Sequence, residues 1–229
     1  MLGMPDSLVE RALRLYAENL YIAVPMLAAV IVTAVASTLA AILTAASITG
    51  VIAALHGPSA PGLLLAPVAA VLLLVSLLLA LIAVTANTLA GGVVAELALA
   101  LVRGERIGVG EAWERVKPHL ARLFLAALVA GVISLVFAVI PFVGLAAAET
   151  LFTPLPLLVV SGRGVLGSLD GSFSTVLGSL SRRAEVPLVV FIIYLVGAAH
   201  HVLGLLVSLV GYPYAVLLYA LYMREEGLL

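Results

Sequence analysis

The chain has 229 residues, 64% apolar and 10% charged, with a formal net charge of −1; ordinary soluble domains run at about 45–50% apolar and 25% charged. Such composition points to an integral membrane protein, and the near-neutral charge offers nucleic acid no basic surface. With no cysteine, disulfides, thiolate metal sites and cysteine nucleophiles are excluded. There is no glutamine, and asparagine occurs only at Asn19 and Asn87. That scarcity of thermolabile residues points to a thermophile, and membrane composition alone produces the same effect.

Residues 5–20 read as an amphipathic interfacial helix, opened by Pro5 and Asp6, with Val9, Leu13, Tyr16 and Leu20 as its apolar stripe. Its charges, and the length of the apolar run after it, do not fit a cleavable signal. Tyr21–Leu55 carries no charge, and Ile22–Thr49 is expected to be the first span. His56–Gly62, with two prolines and two glycines, is a turn. Leu63–Val102 has one charge, Glu96, and would be roughly 60 Å long as a single helix. The second span is therefore placed at Val71–Gly92. Leu63–Ala70 then lies outside it, and Gly91-Gly92 is the weak point.

Arg103–Arg122 holds eight of the chain's 23 acidic and basic residues. Insertion of each such group into hydrocarbon costs roughly 2.5–3.5 kcal/mol, so this island belongs in water or at a headgroup surface. Its stripe is Val109, Trp113, Val116, Leu120 and Leu123, and Trp113 stands where an interfacial anchor belongs. Leu120–Ile140 is the third span, Pro141–Gly144 a turn, and Leu145–Val160 a fourth span bent by Pro154 and Pro156. Ser161–Glu185 repeats the island's design. Its stripe is Leu166, Leu169, Phe173, Val176, Leu177 and Leu180, with serines on other faces and Arg182 and Arg183 at its end. Val186–Met223 suffices for two spans. The turn between them is placed near Gly197–Gly204, because a turn at Gly211-Tyr212-Pro213 leaves the last span only about 12 residues, too few to cross.

The expected fold is thus all-α: a polytopic membrane helix bundle of six transmembrane helices with two or three interfacial amphipathic helices, in one domain, 1–229. All 11 Lys and Arg fall on one side of this arrangement. The positive-inside rule then places the protein in the cell membrane with both termini cytoplasmic. Matching stripes at offsets of 100 and 160 suggest repeats over 5–102, 103–162 and 163–229. Chance coincidence in so apolar a chain is the competing account.

Three stretches resemble a known family. They are Ala17–Pro25 (AENLYIAVP), Thr153–Phe173 (TPLPLLVVSGRGVLGSLDGSF) and Leu218–Arg224 (LYALYMR). Together they are similar to the six-helix membrane domain appended to some glycerophosphodiester phosphodiesterases, and to its free-standing archaeal and bacterial relatives. Glu111-Ala112-Trp113 departs from the pattern, standing where a serine is expected. The resemblance implies a fold and a membrane address. The phosphodiesterase activity of the appended form resides in a separate barrel domain, so it does not carry over.

Three intramembrane polar residues are candidates. Glu96 is an ionisable group in a span, a functional candidate by default; the competing reading pairs it with Arg103 or a neighbouring Arg at the boundary. Asn87 is a ligand donor or a helix–helix hydrogen bond. Glu149 lines a vestibule or is an interfacial carboxylate. Trp113, Arg103, Arg182 and Arg183 are interfacial. His200-His201 point about 100° apart on a helix, unlike the i, i+4 pairs of helical zinc sites. Gly162-Arg163-Gly164 has no G-K-[ST], and the serines of Gly167–Ser181 have no His or Lys partner in sequence. No catalytic residue, metal or cofactor is assigned. Membrane lipids are the expected partners, since the basic islands suit anionic headgroups at roughly 1 kcal/mol per residue. Homo- or hetero-oligomerisation through the spans is left open. The leading functional expectation is a non-enzymatic scaffold or accessory component; the alternative is a transporter or lipid-handling protein.

Overall fold

The structure is a computed structural model that describes residues 7–56 and 60–229, with side chains at 53–66 and 201–202 outside the description. Pro5, Asp6 and the centre of the His56–Gly62 turn, residues 57–59, lie outside the described residues. The described residues are mostly helical and include no strand. Five stretches are long and apolar enough to cross a membrane: Leu20–Ile52, Pro67–Arg103, Val109–Phe137, Val143–Val160 and Leu203–Glu225. A sixth apolar helix, Glu185–Ala199, has 15 residues.

Two compact units emerge. The hairpin unit, Ala28–Asn87, takes most of α2 (Val24–His56) and the first part of α3 (Ala60–Arg103). The core unit joins Met1–Leu27 to Thr88–Leu229.

In the hairpin unit the buried side chains are small: Ala29, Ala36 and Ser47 on α2, and Ala69, Ser76 and Ala83 on α3. The α3 set recurs every seven residues, the period that keeps one seam on a single side of a helix. Leu, Ile and Val point outward along both helices, among them Ile31, Ile42, Leu74 and Leu77. Ser47 and Ser76 return their hydroxyl protons to carbonyls one turn earlier, so neither leaves a polar atom to lipid.

In the core unit two segments are buried on every side, Val93–Val102 of α3 and Pro213–Met223 of α11 (Tyr212–Glu225). A helix apolar all round belongs at a centre. Around them stand α1 (Leu8–Glu18), α4 (Val109–Val116), α5 (Leu120–Phe137), α6 (Val143–Phe152), α7 (Leu155–Val160), α8 (Val165–Arg182), α9 (Glu185–Ala199) and α10 (His201–Leu206). The α5–α6 turn is forced tight: Phe142 takes a positive φ of 59°, and a Cβ on Gly144 would strike the Phe137 carbonyl oxygen. The α6–α7 break falls at Thr153-Pro154, because Pro154 and Pro156 cannot supply helical N–H donors. The α9–α10 turn lies at His200, inside the expected Gly197–Gly204 window. Gly211-Tyr212-Pro213 is no turn; there one π-helical turn, Val207–Gly211, passes directly into α11. Gly197, Gly204 and Gly211, spaced seven apart, explain the close approach: a Cβ on Gly197 would lie 3.0 Å from Val207 Cβ, one on Gly204 3.1 Å from the Gly197 carbonyl oxygen, and one on Gly211 2.7 Å from Ile193 Cγ2.

Three sequence expectations change. Gly91-Gly92 does not break α3, which runs 44 residues without interruption. The glycines instead admit neighbours: a Cβ on Gly91 would sit 2.7 Å from the Tyr212 hydroxyl, and one on Gly92 2.6 Å from Leu123 Cδ1. The α1 face that packs is Leu8, Ala12 and Tyr16, while Leu13 and Leu20 are exposed. That helix opens at Ser7, whose hydroxyl caps Glu10 N–H while the Glu10 carboxylate accepts from Ser7 N–H. On α8 the expected stripe is split between two faces. Ser168, Ser172, Thr175 and Ser179 pack inward with Leu169 and Val176, whereas Leu166, Leu177 and Leu180 face out, Leu166 at 79% exposure. Small hydroxyl side chains let helices approach closely and hydrogen-bond across the gap; Ser172 Oγ donates to the Leu151 carbonyl at 2.6 Å.

Candidate functional site

Glu96 is the one charged side chain in the buried run Val93–Val102. Its partner is Arg115, not Arg103, which is exposed. Helix α4 starts at Gly108, whose extended backbone serves as N-cap, and an i, i+4 pair between Glu111 and Arg115 at 2.7 Å supports it. Arg115 Nη1 lies 3.4 Å from Glu96 and 3.0 Å from Glu105. Three carboxylates thus share one guanidinium, whose fork geometry suits several acceptors at once. The Arg115 side chain is 37% exposed, so water screens much of this attraction. What it supplies is a counter-charge for a carboxylate that would otherwise be buried alone.

Asn87 donates to Thr33 Oγ1 at 2.6 Å and to the Ala83 carbonyl at 2.9 Å. The first bond joins α3 to α2 within the hairpin unit, and the second ties the amide to its own helix. Asn87 is nine residues from Glu96 on α3, half a revolution round the helix at 100° per residue.

Glu149 lies seven residues into α6 and keeps accessible surface. Its carboxylate has no hydrogen bond or ion pair among the described residues. One turn on, Thr153 Oγ1 donates to the Glu149 carbonyl at 2.7 Å and is hydrogen-bonded to the Tyr194 hydroxyl at 3.0 Å.

Most of the remaining charges gather at one end of the core unit. Arg11 pairs with Glu225, Arg182 with Glu226, and Arg183 with Glu225 at 3.7 Å and Glu185 at 3.9 Å. The Glu226 hydrogen bond pushes the Arg182 pKa further up from its already high range. Arg224 donates to the Val102 carbonyl at the end of α3, Arg163 to the Leu228 carbonyl and Arg122 to the Gly162 carbonyl. Trp113 is partly exposed on α4, beside Arg115 in sequence. His200 ends α9 in an extended conformation, and the His201 side chain lies outside the described residues.

The sequence reading missed Arg115, Thr153 and Tyr194. Thr153 carried a signal, its i+4 spacing from Glu149. Tyr194 reaches Thr153 only through the packing of α9 against α6. Comparison with family models, with curated proteins and with solved structures returned no match.

Proposed function

We propose that the protein is a non-enzymatic membrane component, a scaffold or accessory subunit of the cell membrane, with six spans and both termini cytoplasmic. The observation that carries this reading is that Asn87 and Glu96 are each held by a structural partner, Thr33 and Arg115. A polar pathway would use such groups at the midplane. The six-span count is supported by Arg183, which reaches both Glu185 at the start of α9 and Glu225 at the end of α11. If α11 crosses toward that end, α9 has to cross away from it. The similarity to the phosphodiesterase-appended membrane domain is part of the same proposal.

Helix α8 suits an interfacial position. Its serine face packs inward, Leu166, Leu177 and Leu180 form one outer flank, and Asp170, Ser174 and Ser181 form the next. The leucine flank meets lipid and the polar flank meets water or headgroups. Spin labels at Leu177 and Ser174 should report different depths, and equal aqueous accessibility would remove α8 from the interface.

Reconstitution into vesicles tests the functional reading. The protein should produce no solute flux and no lipid scrambling above protein-free vesicles. Scrambling or flux would replace the scaffold with the transporter or lipid-handling alternative. Orientation is tested with single cysteines: Ser181→Cys should react with an impermeant maleimide only after lysis, and Ser59→Cys in intact cells.

A further inference from the structure

At the end of the core unit where the charges gather, the ion pairs cancel one another. Arg11, Arg182 and Arg183 meet Glu225, Glu226 and Glu185. Three arginines of the same end are left over. Arg122 donates to the Gly162 carbonyl, Arg163 to the Leu228 carbonyl and Arg224 to the Val102 carbonyl. A carbonyl accepts a hydrogen bond without cancelling a charge, so each arginine stays fully positive. None of the three makes an ion pair among the described residues. Asp170, the acid nearest to Arg163 in sequence, makes none either.

The same contacts bring the three together. Arg122, in the first turn of α5, reaches the turn between α7 and α8. Gly162, with a φ of 96°, shapes that turn, and Arg163 follows it. Arg163 in turn holds Leu228, in the same closing segment as Arg224. All three side chains are exposed. They stand where α5 begins, just after α7 ends and in the last turn of α11, the level at which spans leave the apolar layer and cationic side chains meet headgroups. Helix α8 starts beside Arg163 with no side-chain cap at Gly164, so its first N–H groups add partial positive charge there.

We infer that Arg122, Arg163 and Arg224 form a docking surface for the headgroup phosphate of an anionic phospholipid. A guanidinium presents a planar fork of N–H donors that matches phosphate oxygens, and each of the three has donors beyond the one given to its carbonyl. Position at the ends of spans selects a lipid over free phosphate. Surplus charge selects an anionic lipid over a zwitterionic one, whose phosphate brings its own ammonium. The inference rests on the membrane placement proposed above and holds for the scaffold and the transporter alike.

The test uses the full-length protein reconstituted in nanodiscs of phosphatidylcholine and phosphatidylglycerol. The protein is released into mild detergent and its retained lipid is identified by native mass spectrometry. Phosphatidylglycerol should be retained several-fold above its share of the bilayer, and added glycerol phosphate should not displace it. Arg122→Gln and Arg163→Gln should each lower that enrichment by up to about fivefold, the worth of one basic residue near an anionic surface. Their combination should abolish it, and Arg163→Lys should keep part. Arg224→Gln also loses its hold on the Val102 carbonyl, so the other two variants carry the test. Arg106→Gln, which removes another exposed arginine without an ion pair among the described residues, should change nothing. Equal retention of the two lipids by wild type, enrichment that survives in the double variant, or a loss in Arg106→Gln as large as in Arg163→Gln overturns the proposal. Displacement by glycerol phosphate overturns it too, in favour of a soluble anion. A chain that fails to enter nanodiscs would sink the membrane placement and this surface with it, a result distinct from insertion without lipid preference.

Discussion

The hairpin unit and the core unit solve the same problem, packing helices in an apolar solvent, by opposite means. The hairpin has no acidic or basic residue in Ala28–Asn87, closes on alanine and serine, and turns its large side chains out. The core holds all 11 Lys and Arg of the chain and encloses large side chains, Tyr219, Tyr222, Leu217, Leu218 and Met223 among them. Lipid is as apolar as leucine, so withdrawing leucine from it gains little; close backbone approach and interhelical hydrogen bonds hold such helices together. The hairpin uses the first almost alone. The core adds interlocking bulk, hydroxyl contacts and an ionic end, and can therefore position polar groups against one another.

Single substitutions can break or sharpen that contrast, read by equilibrium unfolding in mixed micelles. The largest effect is expected at the centre of the core. Tyr219→Ala empties a fully buried site on α11 and should cost about 3–5 kcal/mol, whereas Leu77→Ala, at 61% exposure in the hairpin, should stay within about 0.5 kcal/mol. Comparable costs would erase the distinction between the units.

Arg115→Gln should come next, with a measurable loss of stability, because it leaves the buried Glu96 carboxylate without its counter-charge. Adding Glu96→Gln should recover part of that loss. A double variant no better than the single one would mean that Glu96 does not depend on Arg115.

In the hairpin, Ala83→Leu should cost about 1–3 kcal/mol by prising α2 from α3, while the neighbouring change Ile82→Leu should be nearly silent. Equal effects would show that the seven-residue seam is not what closes the hairpin. The smallest expected effect is Asn87→Leu, about 0.6 kcal/mol for one interhelical bond in a membrane. A loss several times larger would give Asn87 a role beyond its bond to Thr33.

Much of the architecture was legible because membrane insertion is read from local composition. The charge-free run after Tyr21, the charged island at Arg103–Arg122, the Pro141–Gly144 turn and the Thr153–Pro156 bend all announce themselves in a few adjacent residues. The His200 turn followed from length alone. The candidate site was legible only in its polar residues: Glu96, Asn87 and Glu149 stand out against hydrocarbon.

Which way a face points was not legible in the same manner. On α8 a 3.6-residue period marks two faces, but in lipid both serine and leucine can pack inward, and only the neighbouring α6 carbonyl accepting from Ser172 settles the choice. At Gly91-Gly92 a paired glycine reads as a weak helix; the approach of Tyr212 and Leu123 makes it a packing site. The partners of the acids were the tertiary structure's decision as well. Arg115 lies 19 residues beyond Glu96, and Tyr194 lies 41 residues beyond Thr153, its hydrogen-bond partner. Composition determines that these segments are helical and apolar enough to cross a membrane, because length and hydropathy are properties of each segment separately. Which carboxylate receives a counter-charge and which does not depends on how the helices cross, and no single segment carries that information.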